Sequence, residues 1–133
     1  MKRIRVAPWA LLAAAALLGC AAPPPTSREI DAMARRKIGF DLARFRGDGL
    51  YGPPDGARTL DYEFCVPKRE DLLAEVKAID PSLRVMPGVR GRAGCGEGAL
   101  LCVGNTGQPG FRQVLLRLAR LDYVDRIYAT EWE

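Results

Sequence analysis

Apolar and polar residues alternate along Leu60-Asp61-Tyr62-Glu63-Phe64-Cys65-Val66, the period-two pattern of a strand with one buried face. Pro67 suits the first turn of a following helix. Leu72, Val76 and Ile79 recur at helical spacing until Asp80-Pro81-Ser82 stops it. Leu83-Arg84-Val85-Met86 alternates again, the stretch 88–98 is rich in glycine, and Ala99 to Val103 forms a third apolar run. Gly104 to Gly110 leads into a helix marked by Phe111, Val114, Leu115, Leu118 and Leu121, and 126–132 reads as a last strand. Upstream, Thr26-x-x-Glu29 has capping-box spacing. Ile30, Met33, Ala34, Ile38, Leu42 and Phe45 then make one apolar stripe, which predicts an amphipathic helix over 27–46. Gly47-Asp48-Gly49 ends it, and a turn-rich linker occupies 47–59.

The element order over 60–133 is β-α-β-β-α-β. This order predicts an α+β, ferredoxin-like split sandwich: a four-stranded antiparallel sheet with two helices on one face. Leu60, Tyr62, Phe64 and Val66 should face those helices, together with Leu83, Val85, Leu101, Val103, Ile127 and Ala129. The opposite face then carries Asp61, Glu63, Arg84, Tyr128 and Trp132, with the thiols of Cys65 and Cys102. That face is the first candidate for partner contact. The competing expectation lays the 27–46 helix across it, burying both apolar surfaces; homodimerisation through the face is a third. The helix could instead lie on a bilayer, although its acidic residues dilute the basic character that would favour this.

Composition changes the picture at the N-terminus. Met1-Lys2-Arg3-Ile4-Arg5 is a short basic region, and Val6 to Leu18 is apolar but short for a membrane span. It runs into Leu17-Leu18-Gly19-Cys20. This arrangement resembles a bacterial lipoprotein signal peptide with its lipobox. The resemblance implies cleavage of 1–19, a diacylglyceryl (palmitate-type) anchor on Cys20, and a tether over 20–26 whose prolines favour an extended chain. Ala21 after the cysteine implies outer-membrane sorting facing the periplasm. The whole chain has 20 basic and 16 acidic residues, net +4. Loss of Lys2, Arg3 and Arg5 with the signal leaves 17 against 16, which removes the support for a nucleic-acid partner.

The chain carries no histidine, which excludes imidazole bases and His-ligated metal sites. With Cys20 lipidated, Cys65, Cys95 and Cys102 remain for an oxidising compartment, so one disulfide is expected. Cys95–Cys102 would close the glycine-rich hairpin; Cys65–Cys102, on neighbouring strands, is the rival. There is no Cys-x-x-Cys pair and no tight ligand pair, so no metal or cofactor is expected. Gly104 to Gly110 precedes a helix but lacks the lysine of a phosphate loop. Asn105 or Thr106 would serve as its N-cap, and Asn105, Thr106 and Gln108 form a second-choice contact loop. The resulting expectation is a small, non-catalytic, lipid-anchored binding module with a protein partner. Two alternatives stand beside it: an inhibitor or immunity-type lipoprotein that inserts the 88–98 hairpin into a toxin or hydrolase, and a thiol-dependent enzyme using Cys65.

Overall fold

The computed structural model describes residue 3 and residues 19–130 of the 133-residue chain. Most of the expected signal segment, Leu17 and Leu18 included, lies outside the described residues, as does Trp132. The elements in order are α1 (Ser27–Lys37), a 3-10 turn (Leu42–Arg44), β1 (Asp61–Pro67), α2 (Glu70–Ile79), β2 (Arg84–Met86), β3 (Ala99–Asn105), α3 (Phe111–Ala119) and β4 (Tyr128–Ala129). The strands order as β2-β3-β1-β4, with every neighbouring pair antiparallel. This is the α+β, ferredoxin-like sandwich expected from the β-α-β-β-α-β order.

The first strand faces as its alternation predicts. Tyr62, Phe64 and Val66 are fully buried in the main core with Val76 of α2 and Phe111, Leu115 and Leu118 of α3. The third strand is turned the other way. Its register sets Cys102 opposite Phe64, so Cys102 faces the helices, while Leu101 and Val103 face away. Directly paired residues share a face, and this fixes the parity that the apolar run itself leaves open.

The predicted 27–46 helix is shorter. Its start carries the expected capping box: Glu29 N–H donates to Thr26 Oγ1 at 3.3 Å, and Thr26 N–H donates to Glu29 Oε2 at 2.6 Å. The Thr26 backbone N–H and hydroxyl hold the exposed Glu29 carboxyl below its usual range. The helix ends at Lys37, because Ile38 turns extended and bridges in parallel to Ile127. Gly39 N–H donates to Ile127 O, and Ile127 N–H donates to Lys37 O, both at 2.8 Å. A side chain at Gly39 would press on the Ile127 carbonyl at 3.0 Å.

The helix also sits elsewhere than across the open sheet face. It packs beside α3, with Ala34 and Ile38 in the main core. Arg120 Nε donates to Asp31 Oδ1 at 2.9 Å, and Lys37 Nζ donates to Leu121 O at 3.1 Å.

The face opposite the helices is covered by the glycine-rich segment instead. Cys65 on β1 is disulfide-bonded to Cys95, with Cα atoms 5.5 Å apart. Both expected pairings, Cys95–Cys102 and Cys65–Cys102, are therefore corrected. Cys65 lies opposite Leu101, one residue from Cys102, so the two thiols project to opposite faces of the sheet. Cys102 is free and buried. Gly91 completes the cover in a left-handed conformation (φ +63°), where a Cβ would collide with Glu63 Oε2 and Leu101.

Candidate functional site

The residues expected on the open face do not form an exposed platform. Glu63 is 2% exposed under the 88–98 segment, and its Oε1 accepts the Arg92 N–H at 2.8 Å. Tyr128 is half-buried beneath Arg126, whose guanidinium stands 5.5 Å from its ring centre. Asp61 accepts from Asn105 Nδ2 at 2.7 Å and pairs with the exposed Arg84 at 3.4 Å. Asp61 and Arg84 thus stand together at the rim, while Glu63 serves the interior.

The 105–108 loop also turns inward. Thr106 is fully buried; its Oγ1 donates to Gly49 O at 2.7 Å and accepts the Leu60 N–H at 2.9 Å. Gly49 adopts φ +81°, and a Cβ there would collide with the Thr106 carbonyl, so both the backbone conformation and the close approach require glycine. Asn105 Oδ1 accepts the Gly107 N–H at 2.7 Å. Neither Asn105 nor Thr106 caps α3: the N-cap is Gly110, left-handed at φ +66°, with no side-chain cap bond.

Gln108 enters a buried network. Its Nε2 lies 2.9 Å from Asp80 Oδ1, 3.0 Å from Ser82 Oγ, 3.1 Å from Tyr62 Oη and 2.9 Å from Asn105 O, so two amide hydrogens are shared among four oxygens. Asp80 is fully buried and accepts from the Tyr62 hydroxyl, from Ser82 N–H at 2.9 Å and from Ser82 Oγ at 2.6 Å. Burial, reinforced by the Asp80 charge, pushes the Tyr62 hydroxyl well above its usual range. The network ties α2, β1 and the β3–α3 loop together.

Cysteine chemistry follows the same division. Cys65 is held in its disulfide, so a thiol-dependent reaction has no nucleophile there in the oxidised chain. Burial pushes the Cys102 thiol up to about 11, against a counteracting pull from Lys77 and with a further rise from Asp80. Two results are expected. Iodoacetamide at neutral pH should leave Cys102 unmodified until the chain is unfolded. Stability should be full below about pH 9, where the thiol is protonated in both states, and fall as pH rises toward 11, where only the unfolded thiol ionises. Tyr62 adds to this alkaline loss at higher pH. Urea midpoints at about pH 8 and about pH 10.5 would check it, and an unchanged midpoint would contradict it.

A groove of about 620 Å³ opens between the 40–60 segment and the sheet end formed by β1 and β4. Phe40, Phe45 and Leu60 provide apolar walls, and Phe45 lies 5.0 Å from Tyr51, ring centre to ring centre. Two cations stand at its mouth. The guanidinium of Arg44 lies 5.9 Å from the Tyr51 ring centre and that of Arg58 lies 5.6 Å from it. Neither forms an ion pair among the described residues. The two acids nearby are engaged: Asp41 accepts the Ala43 N–H at 2.9 Å, and Asp61 binds Asn105 and Arg84. Thr130 Oγ1, at the same groove, is buried with no hydrogen-bond partner among the described residues.

The linker positions these groups. Tyr51 and Arg58 exchange two backbone hydrogen bonds of 2.9 Å across the Gly52-Pro53-Pro54-Asp55-Gly56 turn. That alternation of turn residues between an aromatic and an arginine was the available sequence signal. It does not reveal that Phe40 and Arg44, from the far end of the predicted helix, come to the same place. Among the described residues no cluster of three or more potential ligands could hold a metal ion, and no helix is long and apolar enough to cross a membrane. The chain matches no known family model, no curated protein and no solved structure.

Proposed function

We propose that this chain is a lipid-anchored, non-catalytic binding module of the bacterial cell envelope, tethered at Cys20 to the outer membrane and facing the periplasm. Its recognition surface is the groove between the 40–60 segment and the end of β1. The observation that carries this reading is the pair of arginines, Arg44 and Arg58, which form no ion pair among the described residues and bracket Tyr51 over an aromatic floor. Such a mouth suits a protein segment carrying carboxylates beside an apolar or aromatic side chain. A disulfide on the sheet supports an oxidising compartment, and exposed Cys20 stands before a proline-rich stretch that reaches roughly 20 Å when extended.

Two measurements test this. Cys20→Ser should move the protein from the membrane to the soluble fraction, and the mass of the N-terminal peptide should lose its acyl chains. A photo-crosslinking residue at Thr59 should capture a distinct protein in the cell, and Arg44→Ala with Arg58→Ala should weaken that capture roughly tenfold. Unchanged capture in the double variant would remove the groove from the reading. The inhibitor alternative keeps one favouring observation: the 88–98 segment is tied down by Cys95 yet exposes Val89 at 43%. Crosslinks from position 89 in place of position 59 would select it.

A further inference from the structure

We propose that the exposed side of α1, with Ile30, Met33 and the arginines 28, 35 and 36, is a second membrane contact that lies on an anionic phospholipid surface. The inference rests on the lipid-anchored reading of Cys20, and adds that the folded domain itself docks on the bilayer beside its anchor.

Three observations point to this occupant. First, α1 buries only a narrow stripe, Ala34 with Ile38 beyond its end, and leaves apolar bulk outside. Among the described residues three large apolar side chains are exposed, and two of them, Ile30 at 40% and Met33 at 60%, are neighbours one turn apart on α1. Second, the charge on this helix is basic where it faces outward. The acids that would oppose an anionic surface are engaged: Asp31 is paired with Arg120, and Glu29 is folded back on the Thr26 N–H and hydroxyl. Lys37 is held at the Leu121 carbonyl, but Arg28, Arg35 and Arg36 are exposed and form no ion pair among the described residues. Arg36 stands one turn beyond Met33, so cation and apolar side chain share a neighbourhood, as in helices that lie in the headgroup layer. Third, the chain places this helix next to lipid. Cys20 precedes the Thr26 cap by six residues, which reach roughly 20 Å at most when extended. An acyl chain on Cys20 therefore keeps α1, before any other element, within reach of the headgroups.

The test places an environment-sensitive fluorophore at Met33→Cys in the full chain, reconstituted into phosphatidylcholine vesicles with or without roughly a third phosphatidylglycerol. The same label at Val89→Cys, on the segment that covers the opposite side of the sheet, is the control. With phosphatidylglycerol, emission from position 33 should rise roughly twofold and shift to the blue, while position 89 stays at its aqueous level. Arg28→Gln, Arg35→Gln and Arg36→Gln together should abolish that shift, and so should high salt, which acts on a chain whose arginines are unaltered. A label at 33 that remains aqueous on phosphatidylglycerol overturns the proposal. So does one that enters both vesicle types equally and ignores the arginine variants. Protection that grows with protein density in pure phosphatidylcholine would mark a second copy of the chain as the occupant, and overturns it as well. The mass of the N-terminal peptide reports the anchor separately. An acylated chain with an aqueous label removes the α1 contact alone, whereas an unacylated chain whose label enters phosphatidylglycerol vesicles removes the anchor and keeps the contact.

Discussion

Replacing Asp80 by Ala is expected to destabilise the fold by about 3–5 kcal/mol. The carboxylate is fully buried at the junction of α2 and β2, and four donor groups converge on it: the Tyr62 hydroxyl, the Ser82 backbone and hydroxyl, and the Gln108 amide. The alanine would leave those donors facing one another in a site closed to water. Each unsatisfied buried donor costs about 1–3 kcal/mol, and partial relaxation offsets some of the sum. Gly104 permits the arrangement, because a Cβ there would press on both Asp80 and the Tyr62 ring. Asp80→Asn keeps the shape and one acceptor, so a smaller loss of about 1–3 kcal/mol is expected. Urea denaturation of both variants checks the prediction, and a loss under about 1 kcal/mol for the alanine would show that the network contributes little. Far-UV circular dichroism should show the same secondary structure at low urea, since the change removes a tie between elements and not an element.

Reduction of Cys65–Cys95, or their joint replacement by Ser, is expected to cost about 3–4 kcal/mol. The bridge spans a sequence separation of 30, and closing a loop of that size removes considerable entropy from the unfolded chain. For a domain of this size the loss corresponds to a fall of roughly 10–20 °C in Tm. The loss has a local side as well. The bridge holds the 88–98 segment over Leu101, Val103 and the buried Glu63. Without it the segment should open at a fraction of the global unfolding cost. Trypsin should therefore cut first at Arg90 or Arg92 in the reduced protein while the rest stays intact. Cleavage spread evenly along the chain would instead mean that the bridge supports the whole fold, and an unchanged Tm would mean it supports neither.

Much of the fold was legible because the local signals agreed with one another. The alternation over 60–66 put Tyr62, Phe64 and Val66 in the core, the helical spacing of Val114, Leu115 and Leu118 marked α3, and Thr26 with Glu29 marked the start of α1. The element order then left few topologies. The third strand was harder for a physical reason. Leu100, Leu101, Cys102 and Val103 are all apolar, because both faces of that strand are covered, so no alternation shows which side is which. The disulfide followed that parity in part: reading Cys102 outward made it a partner for Cys65, and its place beside the hairpin made it a partner for Cys95, whereas the pairing with Phe64 turns it inward, away from both.

The groove shows the same limit. Gly39 breaks the apolar stripe of the predicted helix, but only the close approach of Ile127 makes the break final, since an isolated glycine is tolerated in many helices. Once broken, the stripe delivers Phe40 and Arg44 to the end of β1, beside Tyr51 and Arg58. By itself, then, the sequence determined the element order, the buried face of the first strand and the start of α1, because those depend on residues close in the chain. Tertiary structure alone decided the cysteine pairing, the cover over Glu63 and the meeting of the two arginines. Those depend on which distant residues stand opposite one another, and strand register and chain reversal set that only once the whole sheet is formed.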